Sequence, residues 1–279
     1  MHKPTLDELY QRLTAYCTRY QIPFEYLLDI LNDQKVLPMI RGKGTEYGLF
    51  LELNRILPES SWEITKLNLS AQPNQPDQDI SITHRRTGIR FIAESKNAAR
   101  GTGRMGSTRT QVNEPHFKVK CHRSRSNMQR ATTGNDRYSM KDFDILVTTP
   151  LNALYKQGTV TELLELLQEP QLIAYLLELY GIHSETDFIT ALGNDWRFVF
   201  THQIADEHDL LPRNPIVRFQ NDPVWSPMIK SVLNTQLEQV VQERTDLSRK
   251  RGRNLRRKFL DHDNAYLGLW FFWFDHQYD

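Results

Sequence analysis

Apolar residues at helical spacing dominate the first part of the chain. Leu6, Leu9 and Leu13 recur every three or four residues, as they do on one face of a helix. Thr5 stands where it can cap this helix, and Glu8 three residues later can complete a capping box. The pattern predicts three helices, which run from Thr5 to about Tyr20, from about Pro23 to Asn32 and, after Gly42-Lys43-Gly44, from about Thr45 to Leu57.

Strand patterns follow in the next part of the chain. They are short runs rich in β-branched and aromatic residues, bounded by turn-forming residues. The sequence Arg85-Arg86-Thr87-Gly88 suits a tight turn, so the runs on either side of it are expected to form a hairpin. The predicted strands are Trp62 to Leu67, Asp79 to Thr83, Ile89 to Ser95, Phe117 to Cys121, Phe143 to Val147 and Trp196 to Thr201.

Leucine-rich segments in the second half of the chain add further helices. Together with the strands they predict a mixed α/β fold, in which a central sheet of about five strands is flanked by helices. We expect one domain over residues 1–279, with an N-terminal helical layer and a C-terminal extension. The additional elements are helices at Val160 to Leu167, Gln171 to Tyr180 and Ser231 to Glu243, and a buried strand at Leu267 to Phe274.

Composition excludes several classes of protein. With 39% hydrophobic and 25% charged residues, the chain has the composition of a folded globular protein rather than a disordered one. Cys17 and Cys121 are far apart and lack a CxxC or Cys/His array, so we expect no structural zinc and a reducing cytoplasm. No apolar run has the length of a signal peptide core or a membrane span, so we expect no membrane association.

Positive charge is concentrated in one region. The whole chain carries a formal net charge of +1, yet thirteen Lys or Arg residues stand between Arg85 and Arg137 against three acidic ones. Such an excess destabilises the fold by self-repulsion unless a polyanion binds there. A second basic run, from Arg249 to Lys258, is as typical of an exposed helix as of a polyanion contact.

The predicted hairpin carries the side chains that hydrolysis of a phosphodiester requires. If Ser81 to Thr83 pairs with Ile89 to Ile92, the register places Asp79 directly opposite Glu94. Glu94 and Lys96 then share one face of the strand, because side chains alternate. Two carboxylates can hold Mg²⁺, and the adjacent ammonium can act on water and phosphate.

This arrangement resembles the PD-(D/E)xK nuclease superfamily, to which most type II restriction endonucleases belong. The resemblance lies in Pro76-Asp77, Asp79 and Glu94-Ser95-Lys96 on consecutive strands. It implies a restriction-endonuclease-like core, in which Asp79 and Glu94 bind Mg²⁺ and Lys96 orients or deprotonates the attacking water. Asp77 is the alternative first acid, and we prefer Asp79 because the register places it opposite Glu94.

Other residues extend the candidate site. Members of the superfamily often draw a further acid from the preceding helix, and Glu46 shares a helical face with Leu49 and Leu53. Double-stranded DNA is the expected partner, because the basic region supplies donors for phosphates and base edges. The candidate DNA-binding residues are Arg104, Arg109, Lys118, Lys120, His122, Arg123, Arg125, Asn127, Arg130 and Arg137.

The resemblance implies a homodimer that cuts both strands of a short palindromic sequence. Chains of this length that lack a separate recognition module build recognition into the catalytic domain. Two alternatives remain open at this point. One is a repair or recombination nuclease of the same superfamily that recognises DNA structure, and the other is a non-catalytic DNA-binding protein that keeps the fold.

Overall fold

A six-stranded mixed sheet lies at the centre of the molecule. The computed structural model describes residues 4–67, 78–99, 116–122, 136–154, 170–182 and 184–260. The strands of this sheet are β1 (Trp62–Lys66), β2 (Ile80–His84), β3 (Arg90–Ser95), β6 (Ile145–Thr148), β7 (Arg197–Phe200) and β9 (Ser226–Pro227). Strands β1 to β3 form an antiparallel meander, β6 pairs parallel with β3, and β7 and β9 continue the sheet antiparallel.

A second, three-stranded sheet begins directly after β3. Its strands are β4 (Ala98–Ala99), β5 (His116–Val119) and β8 (Ile216–Arg218), all antiparallel and in the order β4-β5-β8. Phe117 and Val119 of β5 pack with Leu146 of the large sheet, so apolar side chains fill the space between the two sheets. This second sheet therefore covers one face of the first.

Helices pack on both faces of the large sheet. The helices are α1 (Leu6–Tyr20), α2 (Leu27–Leu31), α3 (Leu37–Ile56), α4 (Pro170–Tyr180), α5 (Glu185–Asn194) and α6 (Lys230–Leu260). On one face, Leu49 and Leu53 of α3 and Leu237 of α6 join the apolar side chains of the strands. On the other face, the core includes Leu176 of α4 and Leu192 of α5.

The predicted mixed α/β class is confirmed, while several element bounds differ from expectation. Helix α3 begins at Leu37 and continues through Gly42 and Gly44, where the glycines had predicted a break. Each glycine costs a helix about 1 kcal/mol, and burial of Leu49 and Leu53 against the sheet offsets that cost. Helix α6 continues to Leu260, well beyond Glu243.

Some elements had no sequence prediction, and some predictions lie outside the described residues. Helix α5 and the short strands β4, β8 and β9 were not expected from the sequence. Three residues or fewer make up each of these strands, so they carry almost no periodicity of their own. The expected helix at Val160 to Leu167 and the expected strand at Leu267 to Phe274 fall on residues that the structure does not describe.

Candidate active site

Four strand ends meet at one edge of the large sheet. Lys66 ends β1 and pairs with Ile80, the first residue of β2, because the two strands are antiparallel. The parallel strands β3 and β6 end together, at Ser95 and Thr148. Residues that the sequence places far apart are therefore brought to this edge, and the candidate catalytic side chains lie on it.

The predicted register of the hairpin is confirmed. Ile80 pairs with Ala93 and Ile82 with Phe91, so one step further along the ladder Asp79 lies opposite Glu94. The Ser95 backbone N–H donates a hydrogen bond to Asp79 Oδ2 at 2.8 Å, which fixes this carboxylate against the end of β3. Asp79 is 5% exposed and Glu94 is 1% exposed, so both carboxylates lie out of bulk water. The alternative acid, Asp77, lies outside the described residues.

Lys96 lies beside Glu94, as strand alternation had predicted. Its ammonium donates a short hydrogen bond to Glu94 Oε1 and lies 5.0 Å from the centre of the Tyr138 ring. The backbone of Lys96 is also fixed, because its N–H donates to Val147 O at 2.9 Å and its carbonyl accepts from Thr148 Oγ1 at 2.8 Å. Strand β6 thereby determines where this lysine stands.

Helix α3 brings Glu46 to the same edge. The Thr45 hydroxyl lies 2.9 Å from Asn97 Oδ1, so the residue before Glu46 is bound to the residue after Lys96. Glu46 forms an ion pair with Lys66 at 3.0 Å, in which the lysine side chain is 8% exposed and the glutamate 14%. Sequence reasoning had not considered Lys66, since it ends an unremarkable alternating strand and nothing local marks it as part of the site.

The pKa of Asp79 depends on its burial and on the charged side chains around it. Burial, and after it the Glu46 carboxylate, raise the pKa of Asp79 to about 6, while Lys96, the Ser95 N–H and Lys66 oppose the rise. Glu46 therefore acts on Asp79 electrostatically even though it belongs to a different element. A cation placed between these groups would lower the pKa of Asp79 again.

Lys96 remains a full cation in this environment. Burial opposes its charge, but Glu94, Tyr138 and Asp79 together outweigh burial and raise the pKa of the ammonium above its ordinary value. A lysine with a raised pKa cannot act as a proton acceptor near neutral pH unless its surroundings change. In this arrangement Lys96 supplies a positive charge and hydrogen-bond donors.

The donor set fits a hard divalent cation. Within the described residues, no three His, Cys, Asp or Glu side chains form a ready-made metal cluster. Mg²⁺ is commonly held by only one or two protein carboxylates, with waters and substrate phosphate completing its coordination. Asp79 and Glu94 supply that number of carboxylates. Burial is the main cause of the raised pKa of Asp79, and a bound cation would oppose its effect on this carboxylate.

Some of the candidate DNA-binding residues lie close to this edge. Phe117, Val119 and Cys121 point into the core, whereas Lys118 and Lys120 are half-buried on the opposite face and His122 is exposed. The Arg137 guanidinium donates to Leu211 O and forms an ion pair with Asp206 at 2.6 Å, contacts that brace a loop. Six candidates lie outside the described residues: Arg104, Arg109, Arg123, Arg125, Asn127 and Arg130.

Comparisons with known proteins identify no relative of this chain. No family model, curated protein or solved structure matches the chain significantly. No helix in the described parts of the chain combines the length and the apolarity needed to cross a bilayer. Functional inference therefore depends on the geometry of the sheet edge.

Proposed function

We propose that this protein is a Mg²⁺-dependent DNA endonuclease of the PD-(D/E)xK type. The observation that supports the proposal is the convergence of Asp79, Glu94 and Lys96 at adjacent ends of β2 and β3. Both carboxylates are buried, one is fixed by a backbone N–H, and a cationic lysine stands next to them. The mixed sheet with flanking helices is compatible with a restriction-endonuclease-like core.

Each residue has a distinct part in the proposed reaction. Asp79 and Glu94 would hold Mg²⁺, which when bound polarises the scissile phosphate and lowers the pKa of a coordinated water. Lys96 orients the attacking water and places positive charge beside the phosphate. Glu46, in an ion pair with Lys66, adds a third carboxylate whose negative charge raises the pKa of Asp79. Burial of the site strengthens all of these interactions.

We further propose that the target is a short specific sequence in double-stranded DNA, as for a type II restriction endonuclease. The excess of basic residues between Arg85 and Arg137 is the basis for duplex DNA as the substrate. The second sheet carries Lys118 and Lys120 close to the catalytic edge. Recognition and catalysis would then belong to the same domain.

A homodimer is part of the same proposal, and the surface of α1 supports it. Leu6 is 84% exposed and Tyr10 60% exposed, although their helical spacing is that of a packing face. The rings of Tyr10 and Phe24 lie 5.6 Å apart, so the apolar surface continues beyond the helix. Exposed apolar side chains that share one face of a helix are typical of a protein–protein contact. The other exposed members on α1 are Leu9, Leu13, Tyr16 and Tyr20.

Digestion of a sequenced DNA tests the proposal. We expect discrete fragments in the presence of Mg²⁺ and none in EDTA, with the Glu94→Gln variant as an inactive control. Cleavage only at branched or damaged DNA would favour a repair or recombination nuclease instead. DNA binding without any metal-dependent cleavage would leave a non-catalytic DNA-binding protein.

A further inference from the structure

Strand β5 and the residues after it present two chemically different faces. From His116 to Cys121, every second side chain is buried in the core, as Phe117 and Val119 are. The side chains between them are polar or cationic and only half-buried. His116, Lys118 and Lys120 therefore share the face of the second sheet that points away from the core.

Strand β8 adds to this face a cation that no sequence pattern had indicated. Arg218 is the direct partner of His116, and Ile216 is the direct partner of Lys118. Residues directly opposite each other in an antiparallel pair point to the same side of a sheet. The basic face is defined here as His116, Lys118, Lys120 and Arg218.

Two carboxylates lie in loops next to this sheet. Asp222 accepts hydrogen bonds from the backbone N–H of Arg218 at 2.7 Å and of Trp225 at 2.8 Å. The Asp136 carboxylate forms an ion pair with Arg213 at 2.7 Å. Asp222 thus stabilises the loop that follows β8, and Asp136 stabilises the loop that precedes it.

This basic face begins next to the catalytic edge. Only Asn97 separates Lys96 from the first residue of β4, and Ala98 pairs with Val119. The Lys120 backbone N–H donates to Asn97 O at 3.2 Å. Lys120 is therefore anchored one residue away from the proposed catalytic lysine, with Lys118 and Arg218 further along the same sheet.

We infer that the outward face of the second sheet binds the sugar-phosphate backbone of duplex DNA beside the scissile phosphate, with Arg218 and Lys118 as phosphate contacts. The inference rests on the proposed function. Charge complementarity supports this occupant, because the face carries lysine and arginine donors and duplex DNA carries a dense row of phosphates. Because only Asn97 separates Lys96 from this sheet, a DNA strand bound to the sheet would run next to the catalytic edge.

Salt dependence of DNA binding tests this inference. The full chain is titrated with a fluorescent DNA duplex of fixed sequence, in EDTA, over a series of salt concentrations. Arg218→Gln and Lys118→Gln should each weaken binding and reduce the slope of log K against log salt by about 0.9, the value for one lost phosphate contact. Arg218→Lys should keep the wild-type slope, which a merely structural role of the guanidinium would not produce. Lys230→Gln is the matched control, since Lys230 is an exposed cation at the start of α6 and lies outside the basic region.

The outcomes separate this inference from the proposed function. Wild-type slopes in both Arg218→Gln and Lys118→Gln would overturn the inference even if the protein cuts DNA. Reduced slopes in these variants, with no cleavage by the wild type under any condition, would support the basic face and refute the nuclease. Absence of DNA binding by the wild-type chain would overturn both.

Discussion

Asp79 and Lys96 are both held by the backbone of a neighbouring strand. Asp79 accepts a hydrogen bond from the Ser95 N–H, and Lys96 is bound through its own N–H and carbonyl to β6. Groups held in this way need little rearrangement when a substrate arrives, which is the condition for electrostatic catalysis. Single substitutions at these positions should therefore affect chemistry more than DNA binding.

We predict that Asp79→Ala and Glu94→Ala each reduce the cleavage rate at least about 100-fold, because each removes a ligand of the metal ion. A 100-fold loss corresponds to about 3 kcal/mol of transition-state stabilisation, and a metal ion contributes several kcal/mol. Lys96→Ala should lose a similar factor while Mg²⁺ affinity, measured by calorimetry, changes little. DNA affinity should stay near that of the wild type in all three variants. An inactive Asp77→Ala combined with an active Asp79→Ala would show that Asp77 is the first acid.

A second residue-scale prediction concerns stability. The pKa of Asp79 is raised to about 6 in the folded protein, so the folded state binds more protons than the unfolded state between about pH 4 and pH 6. Ionisation of Asp79 therefore lowers stability as pH rises through this range. Asp79→Asn, measured in EDTA by denaturant unfolding, should raise the free energy of unfolding at pH 7 by about 1 to 3 kcal/mol. The gain should disappear at pH 4, and an equal gain at both pH values would contradict the assignment of a raised pKa.

At the scale of elements, the site depends on how α3 and β1 meet the hairpin. The Thr45 and Asn97 contact binds α3 to the end of β3, and the ion pair between Glu46 and Lys66 binds it to the end of β1. Gly48 permits this approach, because a Cβ there would lie 3.2 Å from the Trp196 ring. Packing of one helix thus determines whether Glu46 reaches the other carboxylates.

We predict that substitutions of Lys66 and Glu46 shift the pH dependence of cleavage in opposite directions. Lys66 lowers the pKa of Asp79 and Glu46 raises it. Because Asp79 must be ionised to bind a cation, Lys66→Met should move the acidic limb of the pH-rate profile upward by about 1 unit, and Glu46→Gln should move it downward. Lys66→Arg is the conservative control and should keep the wild-type profile. Loss of rate without a shift in the profile would indicate that the pair only supports the fold.

At the scale of the whole molecule, the exposed apolar side chains of α1 predict how two copies associate. Leu13 lies within the exposed apolar face, whereas Gln11 lies on the opposite side of the same helix. Leu13→Asp should raise the dimer dissociation constant more than tenfold, since burying a charge in an apolar interface costs about 2 kcal/mol or more. Gln11→Asp should leave it unchanged. Sedimentation of the full chain measures both variants, and a monomeric wild type would contradict the dimer.

The same assembly predicts the symmetry of the products. A two-fold dimer brings two equivalent sites to one duplex, so the recognised sequence should be a short palindrome and the ends should be of a single type. Sequencing of the cut ends tests this expectation. Ends at unrelated sequences would remove the restriction-enzyme proposal and leave the broader one of a metal-dependent nuclease.

The sequence by itself determined the local part of this structure. Alternation in the hairpin and the turn at Arg85 to Gly88 were sufficient to place Asp79 opposite Glu94 and to put Lys96 on the face of Glu94. These relations depend only on the pleat and on counting residues across one turn, which the amino-acid order contains. The α/β class followed in the same way from periodicity.

Only the tertiary structure decided what surrounds the hairpin. Parallel pairing of β3 with β6 fixed the backbone of Lys96, and β1 brought in Lys66, a residue without any local signal. Arg218 joined the basic face through the pairing of β5 with β8, about a hundred residues apart in the chain. Long-range pairing and helix packing depend on the burial of the whole core, so the residues next to each other in the chain do not encode them. For the same reason α3 begins at Leu37, earlier than its glycines indicated.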